Sequence, residues 1–205
     1  LILMLVLTQL SVGAFAVGLV LESMLDEAAL TVFRPLQSLV ALGLGLLALG
    51  ASTLHLGRPQ YAFRAIIGLR HSWLSREIVA FGMFAGTAAT YAGLVWWNEL
   101  STQMLRQVGE AVVATGTLGG FCSVMIYVFT KRDFWSFGQT ATKFAFTALN
   151  LGIATTFLII FLFAVAGEQQ NAALLYSQVG RTLAKVLLAG SVTKLLFEAS
   201  IFMHF

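Results

Sequence analysis

Six long runs of apolar residues constrain the fold of this chain more than any other feature. They cover residues 1–21, 35–55, 78–97, 109–130, 144–166 and 180–204. In a helix, roughly 20 apolar residues cross the hydrocarbon core of a bilayer. Membrane-spanning strands would be about half as long and would alternate apolar with polar residues. The runs therefore predict an all-α, polytopic bundle of transmembrane helices with six spans in this sequence.

The composition supports a membrane protein rather than a soluble domain. Hydrophobic residues make up 59% of the 205 residues and charged residues only 10%. No internal repeat divides the chain, so we expect one transmembrane domain over residues 1–205, surrounded by lipid and without a nucleic-acid partner. The sequence opens on Leu1 and its last apolar run reaches Phe205. We expect both ends to be trimmed and further helices to exist outside it.

Small residues recur at a spacing of four within two of the runs. The pairs are Gly82 with Gly86 and Gly116 with Gly120. This spacing lets the backbones of membrane helices approach closely, so it predicts helix packing.

The polar residues are concentrated between the second and third apolar runs. Residues 55–77 hold two of the three histidines, four arginines and Glu77. An imidazole at the membrane edge, as predicted for His55, can exchange a proton with water while it binds a molecule dissolved in the bilayer. A quinol headgroup is such a molecule. The alternative is a helix-terminal histidine that binds a backbone carbonyl group.

Glu77 lies at the start of the third span, where the helix dipole favours a carboxylate. It is on the same membrane face as His55, so the two groups are candidates to accept the two protons that a quinol releases on oxidation. Arg58 is expected nearest to this site. The other arginines of the loop are expected to snorkel or to bind a partner protein.

The charges of the loops differ between the two faces of the membrane. The face with the His55 loop has seven basic and two acidic residues, a net charge of +5, and the opposite face has three basic and six acidic residues, a net charge of −3. Basic residues are enriched in cytoplasmic loops, so the His55 loop is predicted on the cytoplasmic side of the membrane. A docking surface for an acidic soluble subunit would give the same pattern.

The sequence offers few ligands for a metal. Its one cysteine, Cys122, lies inside an apolar run, and no Cys-x-x-Cys motif is present, so no metal of its own is predicted. A haem b with two histidine ligands is the alternative, although His71 and His204 lie in a loop and at a helix end. Lys194 and Glu198 share one face of the last run and predict a buried ion pair, as a packing element or a proton path.

Two stretches resemble a known family. His55-Leu-Gly-Arg-Pro59 with 62–64 and 72–77, and Ile126–Trp135 with 147–152, resemble the membrane-anchor subunit of the dimethyl sulfoxide reductase family of molybdoenzymes. The resemblance implies about eight helices, no metal in the anchor itself, and a quinol site beside an iron–sulfur subunit. The family's histidine and acidic residue match His55 and Glu77.

The implied function is that of a quinone-interacting anchor, a subunit that does not itself convert the terminal substrate. It would exchange electrons and protons with menaquinone or ubiquinone, with His55 and Glu77 transferring protons. Its basic face would bind the iron–sulfur subunit of a complex whose catalytic subunit holds molybdopterin. The complex would be of the sulfite-oxidising or sulfoxide-reducing type, and a cytoplasmic basic face favours the first. The residues implied in quinone binding are His55, Gly57, Arg58, Phe63, Arg64 and Glu77.

Two further alternatives remain at this point. One is a purely structural anchor without a quinone site. The other is a transporter of the oxyanion substrate, which would need helices broken near the middle of the membrane. The chain has only two prolines, both predicted near helix ends, which disfavours a transporter.

Overall fold

The structure, a computed structural model, describes residues 2–54, 59–97, 101–132 and 135–203. These residues form helices and connecting turns, without a strand among them, which confirms the all-α prediction. The helices are α1 (Ile2–Leu21), α2 (Glu27–Thr53), a 3-10 helix (Pro59–Ile66), α3 (Trp73–Trp97), α4 (Thr102–Phe129), α5 (Phe137–Val165), α6 (Gln169–Leu175), a π-helical turn (Tyr176–Gly180) and α7 (Arg181–Phe202).

Five of these helices, α1 to α5, are long and apolar enough to span a membrane, which supports the predicted polytopic bundle. The sixth predicted span, 180–204, corresponds to the 22-residue helix α7. Helix α7 is not one of the five described helices that are long and apolar enough to span a membrane. It carries four charged residues, Arg181, Lys185, Lys194 and Glu198, and charges inside a span are costly.

Three spanning helices begin seven or eight residues before the apolar runs that predicted them, because polar residues cap their N-termini. The Asp26 carboxylate accepts a hydrogen bond from the Ala29 amide at 2.8 Å, and α2 begins directly after it. Ser101 and Ser136 cap α4 and α5 in the same way. Such caps satisfy backbone N–H groups that the first turn leaves free. The apolar run therefore indicates the part of the helix that crosses the hydrocarbon core. The capping residue determines where the helix begins.

Helix α1 lies at the centre of the bundle and packs against α2, α4 and α5. Its closest approach is to α5, where a β-carbon added to Gly13 would overlap the carbonyl group of Ala148 and one added to Gly152 would overlap that of Gly13. The two backbones are therefore in contact at glycine, as small residues permit between membrane helices.

The glycine pairs predicted from the sequence to pack between helices differ from Gly13 and Gly152 in how close their neighbours lie. A β-carbon at Gly116 would lie 2.8 Å from Val12 and 2.9 Å from Phe84, so Gly116 does pack as predicted. Added β-carbons at Gly82, Gly86 and Gly120 would have no atom of the described chain within 4 Å. The prediction that these three pack against a neighbouring helix is wrong for the part of the chain described, because Gly82 and Gly86 are exposed on α3 and Gly120 of α4 faces an open cleft.

Buried polar groups tie the first three helices together. On α1, the Ser11 hydroxyl donates to the carbonyl oxygen of Ala41 at 2.7 Å. At the membrane face opposite the His55 loop, the Arg34 guanidinium contacts the Glu22 carboxylate at 3.1 Å. The Tyr91 hydroxyl donates to the same carboxylate at 2.7 Å. Glu22 thus connects α2 and α3 to the end of α1.

Candidate functional site

Glu77 lies in the second turn of α3, at the membrane face of the His55 loop. The helix begins at Trp73, after Ser72, whose hydroxyl oxygen accepts a hydrogen bond from the Ser75 amide at 3.3 Å. Ser72 therefore caps the helix, and Glu77 lies in the following turn. Its side chain is turned into the bundle, and the residue is only 4% exposed.

The residue next to Glu77 is turned back toward the loop. Arg76 donates from Nε to the carbonyl oxygen of Leu69 at 2.8 Å and from a terminal nitrogen to that of Arg70 at 3.2 Å. Its guanidinium also stacks on the Trp73 ring, 4.2 Å from the centroid. Arg76 therefore fastens the loop to the start of α3 and does not pair with Glu77.

The hydrogen-bond partner of Glu77 is on the neighbouring helix. The Ser123 hydroxyl of α4 donates to the Glu77 carboxylate through a short hydrogen bond. The same hydroxyl oxygen lies 3.2 Å from the carbonyl oxygen of Gly119, one turn earlier. Within the described chain Glu77 has no ion-pair partner, so Ser123 is the group that compensates its burial.

An apolar cleft of about 570 Å³ runs along the bundle between α1, α4 and α5. Ser123 and Phe137 line one end, on the face of the His55 loop, and Met24 and Thr182 line the other end. Glu77 is not part of its wall. Ser123 therefore stands between the buried carboxylate and the cleft.

The remaining predicted site residues that the structure describes lie apart from this cleft. Phe63 and Arg64 are on the 3-10 helix, where Phe63 is 65% exposed and the Arg64 guanidinium stacks on Tyr61 at 4.4 Å. Neither residue lines the cleft. His55, Gly57 and Arg58, and likewise His204, lie outside the described residues.

Ser123 is a candidate site residue that the sequence analysis did not identify. It lies inside an apolar run, where a single serine is usual. One signal was available: Gly116, Gly119 and Ser123 follow at spacings of three and four, which places them on one face of α4. In the structure that face packs on Phe81 and Phe84 of α3.

The ion pair predicted on the last helix does form. Lys194 Nζ lies 3.8 Å from the Glu198 carboxylate. The pair is less enclosed than predicted, because its side chains are 28% and 37% exposed. The expectation of a buried pair facing the bundle is therefore wrong within the described chain, where α7 packs mainly on α5.

The apolar helices, with a carboxylate held inside them, define a multi-pass membrane protein. Over residues 1–195 the chain matches the family described as DMSO reductase anchor subunit (DmsC). It belongs to that family, which confirms the resemblance seen in the sequence.

A curated relative agrees with this assignment. The chain is 35% identical over 158 residues to a sulfite dehydrogenase subunit of Allochromatium vinosum. The match covers 71% of this chain and 45% of the relative, so the chain spans about half the length of that protein. No solved structure matches the chain significantly.

Proposed function

We propose that this chain is a quinone-interacting membrane anchor of a molybdopterin-dependent oxidoreductase complex. The quinone ring would lie at the Ser123 end of the cleft, and its isoprenoid tail would extend along the apolar walls. The observation that carries this proposal is the hydrogen bond between Ser123 and Glu77. It links a buried carboxylate to a residue that lines an apolar cleft along the bundle.

The shape and chemistry of the cleft suit such a ligand. A quinone has a flat ring with two oxygen atoms and a long hydrocarbon tail, so it needs few polar groups at one end and apolar walls elsewhere. The hydroxyl of Ser123 supplies a polar group at one end, and Val12, Val17, Val124 and Ile153 are among the apolar residues of the wall.

The chemistry proposed for the site is proton exchange that accompanies electron transfer. Oxidation of a quinol, menaquinol or ubiquinol, releases two protons and two electrons. Glu77 would take one proton, and His55, which the sequence predicts at the membrane edge, would take the other. The electrons would pass to an iron–sulfur cluster of a partner subunit. Reduction of a quinone would use the same groups in the opposite direction.

The partner is proposed to bind the face that carries the His55 loop. Arg64 and Arg70 near the 3-10 helix, with Lys131 and Arg132 after α4, are exposed on this face. A basic patch of this kind attracts an acidic iron–sulfur subunit and guides its orientation. The name of the relative favours a complex that oxidises sulfite, with sulfoxide reduction as the alternative. We place the basic face on the cytoplasmic side of a bacterial inner membrane.

The substitution Glu77→Gln tests the quinone site directly. Glutamine keeps a hydrogen-bond acceptor for Ser123 but cannot take up a proton. In membranes that hold the assembled complex, quinone-linked turnover is expected to fall about 10²- to 10⁴-fold, the usual contribution of a general acid or base. Dye-linked turnover by the soluble subunits is expected to stay unchanged.

Glu110→Gln is the matched control for this experiment. Glu110 is on α4 at the opposite face, with its side chain 56% exposed and paired with Arg106. It should not affect quinone-linked turnover. Full quinone-linked turnover in Glu77→Gln would place the proton acceptor elsewhere.

A purely structural anchor is separated from this proposal by ligand binding. Tryptophan fluorescence of the purified chain, titrated with a quinone-site inhibitor, should be quenched to saturation if the cleft binds quinone. A structural anchor would give only a linear, non-saturating decrease from partition into detergent.

A further inference from the structure

We infer that the Ser123 hydroxyl relays protons between the quinone in the cleft and the Glu77 carboxylate. This inference rests on the proposed quinone site. It assigns a role in proton transfer to a residue of α4 whose hydroxyl donates to Glu77 and which lies in the wall of the cleft.

The relay is required by the position of the carboxylate. Glu77 is 4% exposed and does not line the cleft, so a ligand there cannot reach it without an intermediate group. Ser123 is 1% exposed, lines the cleft, and already donates to Glu77. Proton transfer needs hydrogen-bond contact at each step, and Ser123 supplies the missing contact.

The carbonyl oxygen of Gly119 lets Ser123 serve both protonation states of Glu77. A hydroxyl has one proton to donate and can accept two hydrogen bonds. When Glu77 is ionised, Ser123 donates to it. When Glu77 is protonated, the carboxylic acid donates to Ser123 Oγ, and the hydroxyl proton turns toward the Gly119 oxygen, 3.2 Å away, or toward the ligand. Every polar group keeps a partner in both states, so no rearrangement of the helices is needed.

The proton step can be written with all its atoms. In quinol oxidation the quinol O–H bond breaks and its proton moves to Ser123 Oγ, while the original Ser123 proton moves to Glu77. Ser123 is unchanged at the end, Glu77 is a neutral acid, and the quinol has lost one proton. Its second proton would pass to the other proposed acceptor, His55, and its two electrons would pass to an iron–sulfur cluster of the partner subunit. Quinone reduction runs the same exchange in reverse.

Ser123→Ala in the assembled membrane complex tests the relay. It removes the hydroxyl and leaves Glu77 in place. The expected result is a fall of about 100-fold in kcat for quinone-linked turnover. KM for quinone and the affinity of a quinone-site inhibitor should change by at most about tenfold, the contribution of one neutral hydrogen bond, because the relay acts mainly in proton transfer.

Two further variants make the result specific to the hydroxyl. Ser123→Thr keeps a hydroxyl at this position and should recover most of the lost turnover. Thr115→Val removes a hydroxyl that also joins α3 to α4, 3.0 Å from that of Thr87, but away from the cleft. It should behave as the unmodified protein, which separates loss of a relay from loss of a helix contact.

The outcomes separate the relay from the quinone site itself. Normal turnover in Ser123→Ala, with Glu77→Gln inactive, would overturn the relay and leave the site in place. Loss of inhibitor binding together with turnover in Ser123→Ala would also overturn the relay, since the hydroxyl would then act in binding. If Glu77→Gln retains full turnover as well, the proposed quinone site fails.

Discussion

Gly13 of α1 and Gly152 of α5 lie backbone to backbone, so that a β-carbon on Gly152 would overlap the carbonyl group of Gly13. This contact sets the distance between two helices that form walls of the cleft. The width of the cleft therefore depends on two residues that have no side chain.

Substitution at this contact is expected to weaken the bundle. In Gly152→Ala the added methyl group meets backbone atoms that cannot turn aside, and overpacking of this kind costs about 1 to 3 kcal/mol. Thermal unfolding in detergent should show a lower Tm. The control is Gly86→Ala on α3, whose β-carbon would meet no atom of the described chain within 4 Å. Its Tm should stay equal or rise slightly, because alanine favours a helix more than glycine does. Equal effects of the two variants would contradict the close contact.

Much of the fold could be predicted from the sequence, because a run of about 20 apolar residues has one stable arrangement in lipid. The helix starts could not be read from those runs, since Asp26, Ser101 and Ser136 stand outside them. The packing glycines could not be chosen either. Gly82 and Gly86 have the spacing of a helix interface, yet the contact forms at Gly13 and Gly152, because the face that a helix presents is decided by its neighbours.

The candidate site was predictable in part, for the same physical reason. Glu77 could be identified because a carboxylate at the end of an apolar run needs an explanation. Ser123 gave no such signal, because its importance comes from the packing of α4 on α3, which brings two residues 46 positions apart into contact.

The Glu22 cluster at the opposite face is expected to stabilise the helix bundle. The side chains of Arg34 and Glu22 are only 11% and 6% exposed, and Tyr91 also binds the carboxylate. Glu22→Gln leaves the Arg34 charge without its counterion, and breaking a buried pair in this way costs about 3 to 5 kcal/mol. Tm should fall markedly.

The exposed pair of Arg106 and Glu110 provides the comparison for the Glu22 variant. Its side chains are 55% and 56% exposed, and pairs of this kind contribute at most about 1 kcal/mol. Glu110→Gln should therefore leave Tm almost unchanged. A similar Tm for the two variants would mean that the Glu22 cluster is open to water.

Arg76 is expected to protect the loop before α3 from cleavage by proteases. It contacts the carbonyl oxygens of Leu69 and Arg70 and stacks on Trp73. Lysine cannot form this planar, bidentate contact, so Arg76→Lys should make the loop more accessible to a protease. Limited digestion with trypsin should cleave after Arg70 several times faster than in the unmodified chain. The matched variant Arg64→Lys should not accelerate this cleavage, since Arg64 contacts Tyr61 rather than the loop backbone.

The last prediction concerns the basic face and the partner proposed for it. Arg132 is exposed in the turn after α4, and Arg132→Glu reverses a charge that would attract an acidic iron–sulfur subunit. The rate at which the iron–sulfur subunit associates with this chain should fall on the order of 10-fold at low ionic strength. The difference should nearly vanish near 1 M salt, where the Debye length is about 3 Å. Arg106→Glu makes the same change at the opposite face and should leave the rate unaltered. If instead Arg106→Glu slows association and Arg132→Glu does not, the partner binds the acidic face.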